Sequence, residues 1–250
     1  MSKPTVTGVE RVLDIFESFQ SYKVPMSMTD LAEVTGIPKS TCHAILTTLQ
    51  KRGYVYSLNR PRAHYPTNRL YDVASEIRKN DVFVRRATPL MEKLRDITGE
   101  TLILGKRQGD EAIYLQVVEG SHSIRYSAKI GDLKPLHSSA IGKAMLGSTG
   151  LAELEAFVQN KSFAKVTNST ITDPAVLVQE IQKSKKQGYF KTCGENVSDV
   201  WAISASIVVG SDVFAMAVAG PKNRMENFPD EHLQLLIGSC SAFSNMANTA

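Results

Sequence analysis

Cysteine is scarce in this 250-residue chain: Cys42, Cys193 and Cys240 are widely spaced and form no C-x-x-C pair. Such spacing speaks against a disulfide framework or a zinc site and fits a reducing compartment, so a cytoplasmic location is expected. Long apolar runs are lacking too. None reaches the roughly 18 residues of a membrane span, and the opening MSKPTVTGVERVLDIF has no uninterrupted apolar segment of a secretory signal. Gly142-Lys143-Ala144 lacks the upstream glycine of a phosphate-binding loop, and His137-Ser138-Ser139 has no G-x-S-x-G elbow. His122 and His232 have no ligand partners at metal-binding spacing. These absences predict a protein that is not an enzyme, with no catalytic residue, metal or cofactor. What remains is ordinary globular material, 42% hydrophobic and 22% charged, without repeats or low-complexity tracts.

The charge is unevenly placed. Residues 1–70 hold nine Lys/Arg against five acids, an excess equal to the +4 of the whole chain, whereas residues 71–250 are balanced. A phosphate-contacting module requires that asymmetry. The same region carries a helix-turn-helix pattern. Val9, Val12, Leu13, Phe16 and Phe19 follow the spacing of one helix face. Ser27 and Asp30 form a capping-box pair ahead of Leu31, Ala32 and Val34. Gly36 stops that helix and Pro38 begins the next, which is expected over 39–52 with Cys42, Ile45, Leu46 and Leu49 inward. Lys39-Ser40-Thr41 places small polar groups at its N-terminus, His43 and Thr47 lie one turn apart outward, and Thr41, Ala44 and Thr48 lie on the flank. After Gly53, 54–58 and 64–67 read as the strands of a hairpin with Arg60 and Arg62 at its tip. A helix of this kind enters the DNA major groove, while tip arginines suit phosphates or a narrow minor groove.

Residues 70–98 read as helical apart from Pro89, with Leu70, Val73, Ala74 and Ile77 forming one apolar stripe and Leu90, Leu94 and Ile97 another. Strands are expected at 101–107, 111–118, 123–128, 200–208 and 212–219, and helices at 138–147, 150–159, 173–187 and 230–247. Without regular alternation this predicts an antiparallel α+β domain. Glu195, Asp199 and Trp201 form a further cluster. The two acids read as turn caps or solvated groups, the tryptophan as a half-buried core or interface residue.

Taken together, the chain resembles the IclR family of bacterial transcriptional regulators. The likeness lies in Leu31-Ala32, Gly36 to Thr41, His43 and Leu46 to Gly53. It continues through Pro89-Leu90, Leu94, Thr98 to Thr101, Gly131, Pro135-Leu136-His137, Gly142-Lys143-Ala144, Gly188-Tyr189, Glu195, Ile203 and Gly220-Pro221. The resemblance implies an N-terminal winged helix-turn-helix (1–69), a linker helix (70–88) and a C-terminal GAF-like antiparallel-sheet domain (89–250) for effector binding and oligomerisation. It implies a homodimer or homotetramer on a palindromic double-stranded operator, with affinity modulated by a small organic acid. Expected DNA-binding residues are Ser27, Thr29, Lys39, Ser40, Thr41, His43, Thr47, Thr48, Arg60 and Arg62. Expected effector-binding residues are Leu136, Ala140, Ile141, Thr192, Val200, Ala202, Ser204, Ala217 and Ala219.

Departures from the family pattern refine this. Ala44 stands where the family usually has an arginine, which removes one DNA contact and shifts operator preference. Relatives that bind small oxoacids line the pocket with an acid, a cysteine and two serines; the matching positions here are Thr192, Ala202, Ala217 and Ala219. Each lost donor leaves a buried carboxylate short of a partner at about 1–3 kcal/mol. The expected effector is therefore larger or less polar than glyoxylate or pyruvate, an aromatic or aliphatic acid. Two rivals to a ligand-responsive repressor are a metabolite sensor acting through protein contacts and an enzyme carried by the C-terminal domain.

Overall fold

The computed structural model describes residues 6–59 and 62–248, and the chain divides between residues 81 and 82 into two units. The first contains α1 (Thr7–Tyr22), α2 (Met28–Thr35), α3 (Lys39–Lys51), β1 (Val55–Asn59), β2 (Arg62–Pro66) and α4 (Arg69–Asn80). Ser27 caps α2 as its pattern demands: its hydroxyl accepts from the Asp30 N–H at 3.1 Å, and the Asp30 carboxylate accepts from the Ser27 N–H at 3.0 Å. Gly36 adopts the left-handed φ of 68° that turns the chain from α2 into α3, a conformation costly for a residue with a Cβ. The core gathers Ile15, Phe19, Met26, Leu31, Ile37, Cys42, Leu46, Leu49 and Val55.

Three expectations for this unit are corrected. Val9 and Leu13 are exposed, whereas Phe19 is buried and Val12 and Phe16 pack on the core as expected, joined by Ile15, so the inward face is rotated slightly from the one read in the sequence. Val34 points outward at 41% exposure. The stripe on α4 covers nothing within its unit: Leu70, Val73 and Ile77 are exposed, and the helix buries no residue.

The second unit begins with α5 (Val82–Thr98), which runs through Pro89 without a break; the proline is exposed and removes a single N–H from the ladder. Then follow β3 (Thr101–Gln108), β4 (Glu111–Val118), β5 (Leu133–Pro135), α6 (Ala140–Gly147), α7 (Leu151–Val158), α8 (Pro174–Gln187), β6 (Phe190–Cys193), β7 (Val200–Val209), β8 (Asp212–Pro221), α9 (Lys222–Met225) and α10 (Asp230–Asn248). The six strands form one antiparallel sheet in the order β5-β4-β3-β8-β7-β6. Alternation along β7 separates the two cores. Ala202 faces the side of α6, α7 and α8, whereas Ile203, Ala205 and Ile207 face α5 and α10. The expected strand at 123–128 is absent: the segment is irregular, and β4 pairs instead with β5, which the sequence pattern did not reveal. β6 and α9 are likewise short elements without their own periodicity.

Candidate nucleic-acid interface and effector cavity

In the first unit α3 presents Lys39, Ser40, His43, Thr47 and Thr48 to solvent, with Thr41 half-buried. A cleft of about 530 Å³ opens between the start of α2, the outer face of α3 and the hairpin. Ser27, Thr29, His43, Thr47 and Arg62 lie around it together; Lys39, Ser40, Thr41 and Thr48 do not line it. The Thr48 hydroxyl is spent on its own helix, donating to the Ala44 carbonyl at 2.9 Å. Arg60 lies outside the described residues.

Three further polar cleft residues were not singled out from the sequence: Gln50, Ser57 and His64. Gln50 was legible, since it extends the His43/Thr47 face by one more turn. Ser57 and His64 are opposed across β1 and β2, a pairing that needs the register. They form a chain: the Gln50 amide donates to the Ser57 hydroxyl, which lies 3.4 Å from His64 Nδ1. His64 also bonds through its main chain to Met26, N–H to carbonyl in both directions. One histidine thus ties both hairpin strands to the recognition helix and to the entry of α2. Partial burial pushes its imidazole below the usual range, and the Arg62 and His43 charges push it the same way.

In the second unit a cavity lies between the sheet and the N-terminus of α6. Ala140, Ile141, Thr192, Val200, Ala202, Ala217 and Ala219 line it. Leu136 and Ser204 do not. Leu136 is fully buried against Gly142, and the Ser204 hydroxyl donates within the sheet to the Met216 carbonyl at 2.9 Å. The lining also includes Ile103, Tyr114, Tyr126, Ser139, Asn196 and Val197. Tyr126 belongs to the segment read as a strand, so its inward placement was hidden. Burial, followed by the neighbouring Tyr126 hydroxyl, drives the Tyr114 phenol well above its usual range, so it stays neutral and can donate. The cavity is small, about 30 Å³, room for about two waters. Among the described residues no lysine or arginine lines the cavity. A carboxylate there would meet the N-terminal dipole of α6, whose cap Ser139 accepts from the Gly142 N–H at 3.2 Å.

Behind the cavity wall stands a buried ion cluster that corrects the solvated reading of Glu195. Lys143, 1% exposed, donates at 2.6 Å to both Glu180 and Glu195. Burial raises the Glu195 carboxyl above its usual range, opposed by the Lys143 charge. Asp199 remains exposed as expected. Trp201 is half-buried on the face of β7 opposite the cavity, with the Lys191 ammonium 4.4 Å and the Lys222 ammonium 6.0 Å from its ring centre. Among the described residues there is no metal-ligating cluster, and no helix is long and apolar enough to cross a membrane.

Comparison with known proteins finds two family patterns along the chain. The pattern described as "IclR helix-turn-helix domain" matches residues 8–58, and that described as "Bacterial transcriptional regulator IclR C-terminal" matches residues 75–245. The transcriptional repressor AllR of Salmonella typhi is 28% identical over 220 residues, covering 87% of this chain and 81% of that protein. An IclR structure from Thermotoga maritima superposes with a TM-score of 0.82 at 23% identity, covering 96% of this chain and 98% of that one. A homologue from Microbacterium hydrocarbonoxydans, solved with 4-hydroxybenzoate, gives 0.76 at 18% identity over 98% and 100%.

Proposed function

Since the chain belongs to the IclR family of bacterial transcriptional regulators, DNA-binding proteins with a C-terminal effector domain, we propose that it is a repressor released or strengthened on its operator by an aromatic or aliphatic monocarboxylic acid. The observation that carries the effector class is the chemistry of the cavity lining. A floor of alanines, Ile103 and Val200 suits an apolar body. The α6 N-terminus with Thr192 and Asn196 offers donors for one carboxylate, and the absence of a lining cation disfavours a dianion. The same-fold homologue solved with 4-hydroxybenzoate is consistent with that class. The repressor assignment follows the named role of the 28% identical AllR.

On the DNA side, α3 enters the major groove with His43, Thr47 and Gln50 toward base edges, while Arg62 and Arg60 meet phosphates. Two copies on a palindrome, as homodimer or homotetramer, would place two such helices in successive grooves. A mobility shift on the intergenic DNA flanking the gene tests the reading. A sequence-specific shift altered by a benzoate-type acid is expected, and no specific shift with any acid overturns it. Pyruvate should not bind in the micromolar range by calorimetry.

A further inference from the structure

An organic acid is far larger than the two or so waters this cavity admits, so one wall must yield. The sheet walls are fixed by ladders, and α6 is buried along its whole length. Two walls are irregular. Tyr126 is held by its main chain, its carbonyl accepting from the buried Thr101 hydroxyl at 2.6 Å. The other is the loop 194–199 joining β6 to β7, which places Asn196 and Val197 on the cavity.

That loop is closed on itself: the Gly194 N–H donates to the Val200 carbonyl, and the Val200 N–H to the Val197 carbonyl, at 3.1 and 3.0 Å. Its base is held by Thr167 and Thr170, whose hydroxyls donate to the Gly194 and Glu195 carbonyls. Its far end is held by the Lys222 N–H, which donates to the Asp199 carbonyl at 2.8 Å, and two side-chain contacts tie the loop to α6 and its N-terminus. The Asn196 amide donates to the Ser138 hydroxyl at 3.2 Å, and the Glu195 carboxylate receives the Lys143 ammonium. Lys143 is thus shared between the helix that forms the cavity roof and the loop that forms its side, with Glu180 of α8 fixing the ammonium from behind.

We propose that Lys143 and Glu195 are positioning residues for effector sensing, forming a latch that holds the 194–199 loop as the movable wall of the cavity. The proposal rests on the sensing role inferred above, but its test needs no effector. A cysteine placed on the cavity floor, Ala217→Cys, reports opening by its rate of alkylation with iodoacetamide in a full-length Cys193→Ser background. The native Cys240, buried in the core on the opposite face of the sheet, reports general loosening. Glu195→Gln keeps a hydrogen-bonding group but removes the charge, the difference between a charge-assisted and a neutral hydrogen bond, so opening should rise about tenfold. Asn196→Ala, which leaves the ion cluster intact, should raise it by a smaller factor.

The expected result is faster labelling at position 217 with Cys240 unchanged. An unchanged rate at 217, or a parallel rise at Cys240, overturns the latch. Failure of every acid to alter DNA binding while the latch behaves as expected would instead overturn the sensing role.

Discussion

Helix α3 buries three of its thirteen residues, while α6 buries all eight. Small polar residues gather at both N-termini, Ser40-Thr41 in one and Ser138-Ser139 just ahead of the other. The difference lies in what surrounds them. The first is open along one side because its ligand is a polymer that must be approached from outside. The second is enclosed because a small ligand must be surrounded to be recognised. Their lysines follow suit: Lys39 and Lys51 lie on the surface, whereas Lys143 is withdrawn behind the cavity and neutralised by two carboxylates.

The sharpest way to break this contrast is through charge burial. Lys143→Met strands Glu195 in the interior and should destabilise the second unit by about 3–5 kcal/mol, read by urea unfolding. Thr47→Ala, on the open helix, should change stability by less than about 0.5 kcal/mol. An equal cost at both positions would erase the distinction.

Packing gives the next effect. A Cβ on Gly142 would lie 2.4 Å from the Leu136 Cα and 2.5 Å from its carbonyl oxygen. Gly142→Ala should therefore cost about 1–3 kcal/mol of stability. At Gly150 a Cβ meets nothing within 4 Å, so Gly150→Ala should be near neutral in the same unfolding assay.

On operator DNA, Thr47→Ala should lose about 1 kcal/mol of discrimination at one base position, while Arg62→Ala should weaken all sequences alike and reduce the salt slope by about 1. Competition binding at several salt concentrations separates the two, and the reverse pattern rejects the docking.

The smallest effect is pH dependence. His64 is held neutral by burial, Arg62 and His43. Its folded pKa lies below the unfolded one, so its contribution to stability is present above the ordinary imidazole range and is lost as pH falls through the lowered value. Bound DNA reverses the sign, because phosphates favour the imidazolium. Binding then takes up a proton, and affinity should rise a few-fold from pH 7.5 to 6 by fluorescence anisotropy. His64→Gln should flatten that rise.

Local signals were legible in the sequence where the physics is local. The Ser27–Asp30 box and the Gly36 turn are set by residues three to nine apart, and both appear in the fold as their types demand. Phase was harder. Val9 and Leu13 share a helical spacing with Phe19, yet the core takes Ile15 beside Phe19 and leaves Val9 and Leu13 outside, a choice only the rest of the core makes. Two features depend on long-range placement. Tyr126 reaches the cavity from an irregular segment held by Thr101, 25 residues away. Glu195 meets Lys143 across 52 positions, so its burial could not be read from its neighbours.

One placement has a practical consequence. The chain holds a single tryptophan, and alternation along β7 turns its ring away from the cavity lined by Val200 and Ala202, toward the core packed against α5 and α10, with lysines beside it. The molecule carries its own fluorophore on the far face of the sheet, so emission from unlabelled protein can follow the integrity of that core, separately from any measurement made on DNA or at the cavity floor.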